Sequence, residues 1–166
     1  MDVEQVSAWF GGRIPEEWFE GPPEVTADRD EILVVGRLAD PAAEGGEAAE
    51  EARIGRIARF REDTRERRIG IAREAQHRFR RKVSWGAECG DVRRLFTTIS
   101  VPVMTRLRLA ERKVLDTLVE AGVARSRSHA LAWCVRLVGR NQKEWIEDLR
   151  SALVKVEEVR SQGPAN

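Results

Sequence analysis

The basic excess along the chain is greatest at Arg78, Arg80, Arg81 and Lys82. Side chains of this type do one kind of chemistry well: they neutralise phosphates and release the counterions condensed on a polyanion. A second cationic group is arranged by alternation. Between Thr97 and Leu109 the residues alternate with a period of two. An extended chain there puts Thr97, Ile99, Val101, Val103, Thr105, Leu107 and Leu109 on one face, and Thr98, Ser100, Pro102, Met104, Arg106 and Arg108 on the other. A third group is Ser126-Arg127-Ser128, with Ser126 or Ser128 capping a predicted helix. Free backbone N–H groups at such a start hold a phosphate well.

Enzymatic chemistry has no comparable footing. A nucleophile with its base, paired carboxylates in an apolar setting, or a glycine-rich phosphate loop of the GxGxxG or GxxxxGK[ST] kind would be needed, and none is recognisable. His77 and His129 lie in arginine-rich neighbourhoods. Cys89 and Cys134 form no CxxC, so the pair reads as reduced thiols rather than a zinc site. The chain is read as non-enzymatic, with no cofactor and no metal. With no apolar run long enough to span a bilayer and an acidic start, it is expected in the cytoplasm.

The net charge of +1 conceals a segregation of charge along the chain. Residues 1–52 hold 14 acidic and 3 basic side chains, net −11, and residues 53–136 hold 21 basic and 9 acidic, net +12. Such a chain either meets a polyanion with its basic middle or folds its acidic head over it.

The elements that must position these groups follow from periodicity, and the expected class is α+β. Residues 1–24 read as an irregular acidic segment with a doubled aromatic motif, Trp9-Phe10 and Trp18-Phe19. Those four rings either anchor the segment on a core or dock into a groove on a partner protein. Residues 25–100 read as a small strand–helix–hairpin unit. A buried strand covers Glu31–Leu38, and a glycine-containing linker runs from Pro41 to Ala49. An arginine-rich amphipathic helix extends from about Ala48 to Lys82, breaking near Asp63-Thr64, and a hairpin turns at Gly90-Asp91. Pro102 divides the alternating run into a hairpin strand before it and a short strand at about Val103–Arg108. A helix ends at Gly122, and a second carries Leu131, Cys134, Val135 and Val138. Residues 139–160 form a C-terminal helix in which Trp145, Leu149, Ala152, Val156 and Val159 make an intramolecular face or a coiled-coil seam. Residues 161–166 are a frayed tail.

Leu115-Asp116, Leu118-Val119 and Gly122, followed by Ser126-Arg127-Ser128 and Ala130-Leu131, resemble the ribbon-helix-helix family of DNA-binding proteins. The likeness covers about residues 101–138. It implies a homodimer, a transcriptional regulator or architectural protein, in which two short strands pair into a ribbon that enters the major groove of duplex DNA. By that resemblance Met104, Arg106 and Arg108 face the bases, while Ser126, Arg127 and Ser128 hold a phosphate. Arg78, Arg80, Arg81 and Lys82 add phosphate contacts. If the ribbon lies before Pro102 instead, Thr98 and Ser100 do the reading. A helix from about Val103 to Ala121 also fits the spacing and makes the module a helix-turn-helix. Two other functions remain open: an assembly factor using the N-terminal aromatics, and an RNA- or ribosome-binding protein using the basic helix at 53–82.

Overall fold

Ile32, Val34 and Val35 make the chain after Asp30 a strand that has to be covered, and neighbouring strands flank it on both edges. The structure, a computed structural model, describes residues 3–41 and 46–161. Helix α1 (Val3–Arg13) and a short 3₁₀ turn (Glu16–Trp18) lead into β1 (Glu24–Ala27) and β2 (Glu31–Arg37). Two helices, α2 (Glu47–Asp63) and α3 (Arg65–Phe79), precede β3 (Lys82–Cys89) and β4 (Val92–Leu95). Three more follow: α4 (Leu109–Glu120), α5 (Arg127–Asn141) and α6 (Lys143–Ser161). The fold is α+β, with the sheet in the first half and helices alone in the second. Part of the expected Pro41–Ala49 linker (42–45) and the tail from 162 lie outside the described residues. No helix among the described residues is long and apolar enough to cross a membrane.

The sheet order is β1-β2-β3-β4. The β2–β3 pair is parallel, with Val34 opposite Trp85, and the outer pairs are antiparallel. A parallel pair needs a long crossover, and α2 with α3 supplies it. Ile32, Val34, Trp85, Ala87 and Cys89 alternate onto one face of the sheet. They pack there with Val6 and Phe10 of α1, Ile57 and Phe60 of α2, and Ile71 and Ala75 of α3.

Residues 1–24 are not an irregular segment. Val6 and Phe10, four apart, give α1 a buried face, and the helix runs through Gly11-Gly12 to Arg13. The partner-docking role considered for Trp9, Phe10, Trp18 and Phe19 gives way to a core role. Phe10 and Trp18 are buried, and Trp9 and Phe19 pack half-buried against the same cluster. Ring centroids lie 5.5 Å apart for Trp9–Phe79, 5.9 Å for Phe10–Trp85 and 5.6 Å for Trp18–Phe60, all edge-on. Phe19 lies so close over Gly36 that a Cβ there would sit 2.2 Å from its ring.

The helix break falls at Thr64, whose hydroxyl donates to the Phe60 carbonyl (2.5 Å) and accepts from Arg68 Nε (2.9 Å). Arg68 is buried, donates through Nη2 to the Arg61 carbonyl (2.6 Å), and lies 4.8 Å from the Phe96 ring centroid. Burial, with Arg61 and Arg65 nearby, pushes its guanidinium down to about 10, still charged at neutral pH. The basic helix expected to reach Lys82 stops at Phe79, because Arg80 turns left-handed (φ 57°) and Lys82 begins β3.

The alternating run forms no strand within its own chain beyond Leu95. Ladder pairing ends at Leu95, with one further bond from Phe96 N–H to the Trp85 carbonyl, and neither the strand before Pro102 nor the strand at Val103–Arg108 forms within the chain. A strand requires a neighbour for its N–H and C=O groups, and this segment has none in its own chain. The helix from Val103 is absent too. Helix α4 starts at Leu109, where the Glu111 carboxylate accepts the Arg108 N–H.

The chain divides into two units, Met1–Pro102 and Val103–Asn166. In the second, Gly122 (φ 74°) closes α4, and the Val123 and Ala124 N–H groups donate to the Leu118 carbonyl. Its core is small: Leu115, Ala124 and Ala130 are buried, ringed by Leu107, Leu118, Val119, Leu131 and Cys134. Gly139 to Asn141 belong to α5, and only Gln142 separates it from α6.

Candidate nucleic-acid interface

In the first unit a concavity of about 760 Å³ opens between the end of α3, the β1–β2 turn and the segment from Ile99 to Pro102. Arg29, Arg73, Arg80, Arg81 and Lys82 line it, with His77 and Gln76, against a single carboxylate, Asp30. Arg73 and His77, four apart, are delivered on one side of α3, and Arg80 follows at its left-handed C-terminal cap. Arg81 acts as a strut, donating through Nε to the Asp28 carbonyl (2.5 Å) and through Nη1 to the Phe79 carbonyl (3.0 Å). The Asp28 carboxylate accepts the N–H groups of Asp30 (2.7 Å) and Glu31 (2.8 Å), which hold it below the usual carboxylate range and fix the turn carrying Arg29. Of the four cations singled out by density, three line the concavity. Arg78 does not; its guanidinium lies 5.6 Å from the Phe79 ring centroid.

The acidic head does fold over part of the basic middle. Glu17 pairs with Arg67 (3.2 Å), Glu24 with Arg93 (2.9 Å) and Asp40 with Arg53 (2.8 Å). Arg13 pairs with Glu74, an exchange in the reverse direction. Arg73, Arg80 and Lys82 make no ion pair among the described residues, so the concavity carries unneutralised positive charge. Sequence density missed Arg29, Arg73 and His77. The spacing 73, 77, 80 was a usable signal for the last two; nothing marked Arg29 before the β1–β2 turn was known.

In the second unit, residues 103–106 and Arg108 are exposed, Val103 85% and Met104 98%, with extended backbone at Arg108. Leu107 turns toward the Leu115 cluster, while Arg106 and Arg108 remain in solvent with no side-chain partner among the described residues. At the start of α5, Ser126 Oγ accepts the His129 N–H (3.2 Å), and His129 Nδ1 accepts the Arg125 N–H (3.3 Å). The N–H groups of Arg127 and Ser128 have no partner among the described residues. The Arg127 side chain is not free for phosphate. Its Nε and Nη2 donate to both oxygens of Asp116 (2.6 and 2.7 Å), raising the guanidinium and lowering the carboxyl from their ordinary values. A phosphate at this helix start would therefore meet backbone N–H groups and the Ser126 and Ser128 hydroxyls.

Comparison with known proteins gives the chain its relatives. The profile of the Rv1265-like protein, N-terminal domain, matches residues 4–95, more than half of the chain. The chain belongs to the Rv1265-like family. A second profile, the Mb1296 C-terminal domain, matches residues 108–160. The two matches flank residues 96–107, which hold Met104 and Arg106. Uncharacterized protein Mb1296 of Mycobacterium bovis and uncharacterized protein Rv1265 of Mycobacterium tuberculosis are each 56% identical over 164 residues, covering 98% of this chain and 72% of the relative. No solved structure matches. Among the described residues no three His, Cys, Asp or Glu side chains group closely enough to hold a metal ion.

Proposed function

We propose that this Rv1265-like chain is a non-enzymatic DNA-binding protein that acts as a homodimer, with residues 103–108 of two copies pairing into a ribbon. One observation carries the reading: an exposed segment with neither helix nor strand partner in its own chain leads directly into a helix pair whose core is half-built. Val103, Leu109, Val114, Val135 and Val138 are all at least 49% exposed in the single chain. A second copy would cover such residues and supply the missing ladder. With Leu107 turned inward, alternation sends Met104, Arg106 and Arg108 outward, where a groove would meet them. The start of α5 then serves the flanking phosphate, and the concavity of the first unit adds sequence-independent contacts.

Titration of fluorescent duplex DNA over a range of salt concentrations tests this. Arg106→Ala with Arg108→Ala should lower affinity at least about tenfold, since a side chain–base contact is worth ~1–3 kcal/mol. Unchanged binding in that variant would remove the ribbon from the interface. Arg80→Ala with Lys82→Ala should instead weaken all duplexes alike and flatten the salt dependence. The concavity favours a second reading, RNA bound by the first unit. A preference for RNA over duplex DNA in competition, abolished by Arg73→Ala with Arg80→Ala, would promote it.

A further inference from the structure

Helix α6 is exposed along its whole length; of its described side chains only Ile146 is half-buried. Its main packing is against the end of α5. It nevertheless carries Trp145, Leu149, Leu153, Val154, Val156 and Val159 in solvent. Trp145, Leu149, Ala152, Val156 and Val159 repeat at intervals of four and three. That is the a/d spacing of a coiled-coil seam. A helix of this length with its apolar face in water is marginal, and its stability comes from what covers that face.

We propose that α6 pairs antiparallel with α6 of a second copy, the two-fold axis passing between Arg150 and Ser151. In that register Leu149 meets Ala152 of the other copy and Trp145 meets Val156, so each larger side chain faces a smaller one. On one flank Ile146 meets Leu153. On the other, Asp148 meets Lys155, and the two-fold axis gives that pair twice. Neither Asp148 nor Lys155 is committed to an ion pair within its own chain among the described residues. The parallel alternative sets Asp148 against Leu153 and Lys155 against Arg160, losing both charge pairs and creating two repulsions. Charge and size thus select both the occupant, a second copy, and its direction. This surface is separate from residues 103–108 and stands whether or not those form a ribbon.

Charge reversal in the full chain tests the pairing and its direction together. Sedimentation over a concentration series at low ionic strength should show self-association weakened about tenfold by Asp148→Lys alone and by Lys155→Asp alone. The double variant should return close to the starting affinity, because the pairs re-form with their signs exchanged; a merely misfolded helix would not recover. Self-association that ignores both single reversals, single losses that the double variant does not restore, or a chain that is monomeric throughout would each overturn the antiparallel pair.

Discussion

The Asp116–Arg127 pair joins α4 to the first turn of α5, and its two parallel hydrogen bonds set the angle at which that turn is presented. Arg127 holds the Asp116 carboxyl below its ordinary value, so the folded state is favoured while the carboxylate is ionised. This contribution is present above the unfolded pKa of an aspartate, about 4, and is lost as pH falls through the lower folded value. Asp116→Asn should therefore melt below the parent chain at neutral pH, and the gap should close in thermal melts taken at progressively lower pH. The cysteines offer a second check at this scale. Cys89 is fully buried, its Sγ 3.6 Å from the Ala39 carbonyl, and burial pushes its thiol up. Cys134 is half-buried. Alkylation of the native protein at mildly alkaline pH should label Cys134 well ahead of Cys89, and equal labelling would mean that the β3 end of the core opens readily.

Close packing around the N-terminal aromatics makes the sheet sensitive at Gly36. Gly36→Ala drives a methyl into the Phe19 ring and should cost about 1–3 kcal/mol in denaturant unfolding. Elements whose pattern is written in their own residues were legible. The branched run marked β2, the hairpin turn at Gly90-Asp91 marked β3 and β4 on either side of it, and the weak point near Thr64 divided the long helix. Helix α1 was missed because Gly11-Gly12 lowers helix propensity, while the burial of Val6 and Phe10 that outweighs it is a tertiary effect. The short edge strand β1 was missed beside Pro22-Pro23, since only its pairing with β2 defines it. The basic site was legible in part: density along the chain found Arg80, Arg81 and Lys82, whereas Arg29 joins them only through the fold. The state of residues 103–108 was not legible: the alternation there has the period of a strand, but no other segment of the chain pairs with it.

The two units differ in how completely each can fold alone. Among the described residues the first buries fifteen side chains in one cluster spanning three helices and the sheet, and the second buries three. So small a core does not offset the entropy of ordering three helices, and the second unit should depend on association for its stability. Calorimetry at two widely separated protein concentrations should show one transition that moves with concentration and one that does not. Two fixed transitions would mean that the second unit stands without a partner. The ribbon itself is most directly tested by nuclear magnetic resonance on a mixture of differently labelled copies. Contacts between the backbone protons of residues 103–108 in one copy and the same residues in the other are the predicted result. An extended segment showing no cross-copy contacts, in a chain that still binds duplex DNA, would contradict it.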